Sequence, residues 1–176
     1  MAGHNRWTQI KRQKEKADAA KSKIFGKFAK LITEEAKKAK GNAGASGLKT
    51  AIERARAENM PNDNIERAIK KAASGNSAQL ESITYEAYGP GGVGMIIEAL
   101  TSNRNKASQE IKFVLSKYGA SLAGIGSVTW SFEKKEGVWT PTTTIPLSSE
   151  DIEKLVALVD ELENSEEVQE IFTNAE

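Results

Sequence analysis

The chain has no cysteine and only one histidine, His4, in 176 residues. Without cysteine there are no disulfides, thiolate metal sites or cysteine nucleophiles. One histidine leaves almost no material for a zinc site or a Ser-His-Asp relay. Long apolar runs are also missing. None approaches the roughly 18 residues of a transmembrane helix, and the opening MAGHNRWTQIKRQK has no apolar core of a signal peptide. A cytoplasmic location without membrane association is therefore expected. The adjacent carboxylates Glu34 and Glu35, and Glu166 and Glu167, diverge as sequence neighbours and do not read as an acid/base pair. We expect no enzymatic activity, no metal and no cofactor.

What is present is charge, and it is segregated. Residues 1–72 hold 18 Lys and Arg against 8 Asp and Glu, whereas residues 73–176 hold 7 against 16, so a net charge of +1 hides a basic half and an acidic half. A segregated basic half points to a polyanion, most often nucleic acid. Two plainer readings stand beside it: the halves attract each other, or the lysines solvate long helices.

Residues 8–40 contain no proline, and Ile24, Phe28, Leu31 and Ile32 recur at helical spacing. On an unbroken helix from about residue 11, Arg12, Lys16, Lys23, Lys27 and Lys30 fall on one narrow face beside the apolar stripe. No acid occurs between residues 19 and 33, so this face lacks the i,i+4 glutamates that a self-supporting charged helix normally carries. Gly41, Gly44 and Gly47 end the helix in a loop. A second helix follows from Leu48 to Glu58, and a third begins in NMPNDNIERAIKKA, where Asp63 is expected to cap and Glu66 to complete an acidic capping box. The polar ASGNSAQ, residues 73–79, marks the boundary between a basic helical domain, 1–75, and an acidic α+β domain, 80–176.

In the second half, ITYEAY and VGMIIEAL read as strands, Ile111, Val114, Leu115 and Tyr118 mark a helix, and Val128, Trp130 and Phe132 alternate as a half-buried strand. KKEG turns into VWTPTTTI, a strand weakened by Pro141. Ser148 caps a helix with the stripe Ile152, Leu155, Val156, Val159 and Leu162, and VQEIFT closes as a strand. The expected class is α+β: a basic helical domain followed by a ferredoxin-like β-α-β-β-α-β domain with an extra leading strand.

Gly89, Gly91 and Gly94 spell G-x-G-x-x-G. A dinucleotide loop must open a helix so that pyrophosphate meets its N-terminus. Here strand-forming MIIEAL follows, so a hairpin bend is expected instead. GASGLKT fails as a phosphate loop because Leu48 separates Gly47 from Lys49. Trp7, beside His4 and Arg6, either stacks on a base or packs against the first helices, and packing is the commoner fate of tryptophan. Arg104 and Lys106 begin a helix, where they oppose its dipole and so invite an anionic contact. The candidate nucleic-acid contacts are His4, Arg6, Trp7, Lys11, Arg12, Lys16, Lys23, Lys27, Lys30, Arg104 and Lys106.

MAGHNRW, KSKIFGK, NMPNDNIERAIKKA, YEAYGPGGVGMIIEALTSNRN, GSVTWSFEKKEG and VQEIFTNAE together resemble the YebC/PmpR family from end to end. That resemblance implies a cytoplasmic nucleic-acid-associated regulator without a cofactor, described as transcriptional and also linked to translation on the ribosome. The partner is then ribosomal RNA or DNA, and a monomer is expected. A protein interaction module that binds no nucleic acid is the alternative of another class. Most family members carry a further domain after the SFEKK strand. Here KKEG passes directly to VWTPTTTIPLSSEDIEKL, so this chain reads as a short member without it.

Overall fold

The computed structural model describes residue 7, residues 18–75 and residues 78–176. Its contacts divide the chain into two units: Glu15–Leu80, and Glu81–Glu176 with Trp7.

The first unit contains helices α1 (Asp18–Ala39), α2 (Ser46–Ala57) and α3 (Asn62–Ala73). Its core is Ile32, Leu48, Ala51, Ala55, Met60, Ile65 and Ala68, with Phe25, Phe28 and Leu31 packed against it. Small alanines on α2 and α3 let the larger α1 side chains fill the space between the helices. The α1 helix stops where Lys40 (φ 48°) and Gly41 (φ 85°) turn left-handed. α3 starts differently from expectation. Pro61 is its N-cap residue, with φ −61° and no side-chain bond, so Asp63 lies inside the first turn instead of capping from outside. The pre-set proline φ fixes the entry, and the Asp63 carboxylate favours the helix dipole from within.

The second unit runs β1 (Glu81–Tyr88), β2 (Gly94–Thr101), α4 (Arg104–Lys117), β3 (Ser121–Leu122), β4 (Phe132–Lys135), β5 (Val138–Pro141), α5 (Ser149–Glu163) and β6 (Val168–Thr173). Helices followed by a sheet domain give the expected α+β class. The strand pairing adds what the sequence order left open. The four-stranded sheet has the order β3-β1-β2-β6 with antiparallel neighbours. The leading strand is thus not an appendage: β1 lies between β2 and β3 and makes β2-α4-β3 a split β-α-β unit. β4 and β5 pair with each other in a separate ribbon.

β2 is buried along its length apart from half-buried Glu98, as befits a central strand. Its Met95, Ile97 and Ala99 share one core with Ile111 and Leu115 of α4 and Leu155, Leu158, Val159 and Leu162 of α5. Ile96 belongs to a second cluster with Val128, Phe132 and Phe172. Both helices are capped by side chains: Asn103 Oδ1 accepts from Lys106 N at 3.1 Å, and Ser148 Oγ accepts from Asp151 N at 3.2 Å, the latter as expected. Among the described residues no helix is long and apolar enough to cross a membrane.

One expected strand is interrupted. Thr129–Ser131 forms a 3₁₀ turn, so Val128 and Phe132 are buried while Trp130 is 71% exposed. The cause lies on β1. The Glu86 carboxylate takes the N–H groups of Gly126, Val128 and Thr129, which a strand would have given to a ladder.

Candidate nucleic-acid interface

Of the expected contacts, His4, Arg6, Lys11, Arg12 and Lys16 lie outside the described residues. Lys23, Lys27 and Lys30 project from α1, Lys23 exposed and the other two half-buried. Each also has an interaction within the chain.

Lys30 lines a groove of about 810 Å³ between α1 and α3, where Arg67 and Lys71 join it. Both α3 cations are exposed, one helical turn apart on the same side. The apolar part of the lining, its floor, consists of Phe25 and Ala29 from α1, Met60 from the connection and Ala68 from α3, beside the buried polar Thr33 and Glu34. Two polar contacts fix the walls. Thr33 Oγ1 reaches Ala29 O at 2.8 Å and Ala68 O at 3.0 Å, which stitches α1 to α3. Glu34, the acid lining the groove, is buried and pairs with Lys37 at 2.8 Å; Lys37 also donates to Ala78 O at 2.7 Å. The cations that line the groove are Lys30, which also has an interaction within the chain, Arg67 and Lys71. Sequence reasoning missed the two α3 cations. Their i,i+4 spacing beside Ile65, Ala68 and Ile69 was visible, but the face of α1 that they meet depends on tertiary packing.

Gly26 also lines this groove, in the middle of α1. A helix-interior glycine costs roughly 1 kcal/mol relative to alanine. Among the described residues nothing lies within 4 Å of where its Cβ would be, so no close contact with them requires glycine here.

In the α+β unit, Arg104 and Lys106, expected to meet an external anion, pair with acids of the chain itself. Arg104 Nη2 lies 2.5 Å from Glu81 Oε1, and Lys106 Nζ lies 3.4 Å from Glu167 and 4.0 Å from Glu110. The Arg104 hydrogen bond holds the Glu81 carboxyl below its ordinary range. These pairs offset the unfavourable dipole locally. Trp7 is buried, 9% exposed, in the cluster with Ala87, Val93 and Leu155, and so is not offered to a base. The glycine segment is a hairpin bend as expected. Pro90–Gly92 forms a short turn with Gly91 at φ 70° and Gly92 at φ 80°, and the Gly94 N–H is taken by Asn174 Oδ1 at 2.7 Å, not left for a phosphate.

Ile125, Trp130 and Tyr88 are exposed large side chains near one carbonyl. Ser127 O accepts from Tyr88 Oη at 3.1 Å and from Trp130 Nε1 at 2.8 Å.

Fold and charge together define a class: an α+β protein whose helical unit presents cations from two helices around one groove. Comparison with known proteins makes this specific. The description "TACO1/YebC protein N-terminal domain" matches residues 5–75, and "TACO1/YebC second and third domain" matches residues 80–138. A probable transcriptional regulatory protein of Thermoanaerobacter pseudethanolicus is 35% identical over 239 aligned positions, covering 100% of this chain and 97% of the relative. One from Thermotoga petrophila is 40% identical over 183 positions, covering 100% and 71%. The chain belongs to the TACO1/YebC family. Since 239 positions align with a chain of 176 residues, the Thermoanaerobacter relative has residues that this chain lacks. In structure the chain is similar to a conserved hypothetical protein from Aquifex aeolicus, with a TM-score of 0.75, 27% identity, and 90% and 91% of the two chains covered.

Proposed function

We propose that this chain is a nucleic-acid-binding regulator of gene expression that uses its basic helical unit to hold RNA phosphates on the ribosome and acts as a translation factor. The observation that carries this reading is the convergence of Lys30, Arg67 and Lys71 from two helices on one groove, with its lining acid already paired to Lys37. Clustered cations of this kind supply the sequence-independent part of nucleic-acid affinity. The protein works by binding, without catalysis or a cofactor, in the cytoplasm and as a monomer. RNA is favoured over duplex DNA because the sequence has no recognisable helix-turn-helix or dimer-spaced reader. The relatives' name favours transcription, so a DNA-binding transcriptional regulator is the competing reading.

The experiment replaces Lys23, Lys27 and Lys30 together by Glu and measures binding to ribosomal RNA and to duplex DNA. A large loss on ribosomal RNA is expected; unchanged affinity for both would overturn the reading. Ribosome profiling of a deletion strain then separates the two processes. Codon-specific stalling is expected, and altered promoter output with normal ribosome occupancy would favour transcription.

A further inference from the structure

The groove between α1 and α3 combines three features that, taken together, go beyond what phosphate binding alone needs. First, its floor is apolar, built from Phe25, Ala29, Met60 and Ala68. A surface that only tracks phosphates works with cations on any solvated face, so an apolar floor beneath the cations calls for a ligand with an apolar face as well as a charge. Second, the cations stand on the rim, Lys30 on one side and Arg67 and Lys71 on the other. Third, Gly26 lowers the α1 wall without a packing reason among the described residues, since a Cβ there would meet none of them within 4 Å.

We propose that this groove holds an unpaired nucleotide of an RNA strand, its base lying on the floor around Phe25 and Met60 and its phosphates held by Lys30, Arg67 and Lys71. The inference rests on the nucleic-acid reading above and deepens it. Every base has a face that packs on aromatic and apolar side chains, so such a site tolerates sequence, while the arginine and lysine heads hold the backbone. A blunt duplex keeps its bases stacked and offers no base to the floor. Folded RNA offers unpaired bases in loops and bulges. The volume of about 810 Å³ is within the range of small-ligand clefts and admits one nucleotide with part of its neighbours.

Gly26→Leu is the discriminating variant. It raises helix propensity in α1 and fills the groove from its wall while leaving every cation in place. With the full chain, binding is measured to a fluorescent 12-nucleotide unstructured RNA, to the same sequence as DNA, and to a blunt RNA duplex. Thermal unfolding by circular dichroism checks the fold. The expected result is an unchanged or raised melting temperature, about a tenfold loss on the single-stranded RNA, and duplex affinity changed by less than about twofold. A folded Gly26→Leu chain that binds single-stranded RNA as tightly as the wild type would overturn the groove while leaving the nucleic-acid reading in place. Wild-type protein that binds none of the three probes would overturn both. Arg67→Ala with Lys71→Ala supplies a second readout. Its log-log salt slope on single-stranded RNA is expected to flatten by about 1.4, two contacts at roughly 0.7 each, and an unchanged slope would remove the two cations from the site.

Discussion

The carboxylate of Glu86 accepts the backbone N–H of Gly126 at 2.7 Å through one oxygen, and through the other those of Thr129 at 2.8 Å and Val128 at 2.9 Å. A single side chain on β1 thereby holds the loop that carries Ile125 and Trp130. Burial by itself would raise the Glu86 pKa, but the N–H groups of Thr129, Gly126 and Val128 outweigh it and hold the carboxyl below its ordinary value. A carboxyl depressed in the folded state contributes stability that is complete above its unfolded pKa, about 4.3, and is lost as pH falls towards the folded one.

Glu86→Gln is therefore expected to destabilise the α+β unit at pH 7 by about 1.5–3 kcal/mol, because an amide N–H₂ faces a backbone donor where an ionised oxygen had accepted. The difference between variant and wild type should shrink as pH is lowered through about 4. Urea unfolding followed by tryptophan fluorescence is the measurement, since Trp7, Trp130 and Trp139 all belong to this unit. Equal stability at pH 7 would show that the three bonds contribute nothing net.

The hairpin bend allows a comparison between adjacent glycines. Gly91 and Gly92 both have left-handed φ, 70° and 80°. A Cβ on Gly91 would lie 2.5 Å from Leu147 Cδ2 and 3.0 Å from Asp151 Oδ2, whereas one on Gly92 meets nothing within 4 Å. Gly92→Ala should cost about 1–2 kcal/mol from backbone strain alone. Gly91→Ala should cost more, by about 1–3 kcal/mol for the displacement of Leu147. The same tryptophan-monitored unfolding reads both, and equal costs would show that Leu147 yields freely.

How much of this could be read from the chain depends on whether a signal is local. The α1 stripe, the glycine bend, the Ser148 cap and the α5 stripe were legible because each is fixed by residues within a turn or two. The place of β1 in the middle of the sheet was not. Strand order is a long-range property, and nothing in ESITYEAY distinguishes an edge strand from one paired on both sides. Trp130 was misplaced for a related reason. Its alternation with Val128 and Phe132 is a true period of two, overridden by a carboxylate more than forty residues away in sequence. At the interface, the α1 lysines could be listed from spacing, but only packing shows that Lys30 shares a groove with Arg67 and Lys71.

Arg104 and Lys106 provide a negative control for the proposed interface. Their partners Glu81 and Glu167 belong to the same unit, and the Arg104–Glu81 pair is exposed on both sides. Exposed pairs contribute little, so Arg104→Ala should change stability by less than about 1 kcal/mol, whereas Lys106→Ala takes a partner from the largely buried Glu167 carboxylate and should cost about 1–3 kcal/mol. Affinity for single-stranded RNA should stay within about twofold of wild type, since both cations, though exposed, are already held by acids of their own unit. A loss of tenfold or more in either variant would place nucleic acid on the α+β unit as well.

The salt dependence of binding tests how many cations act together. Five contacts, from Arg12, Lys16, Lys23, Lys27 and Lys30, would give a log-log slope of about −3.5 on a single strand. Adding Arg67 and Lys71, which share the groove with Lys30, brings the expected slope to about −5. Replacing Lys23 and Lys27 by Gln should then flatten it by about 1.4, while the affinity extrapolated to high salt, where phosphate contacts are screened and packing on the groove floor persists, should change far less. A slope near −1 for the wild type, measured by titration between 50 and 300 mM salt, would show that the basic unit does not grip phosphates and would direct attention to a protein partner of the exposed Trp130 and Ile125.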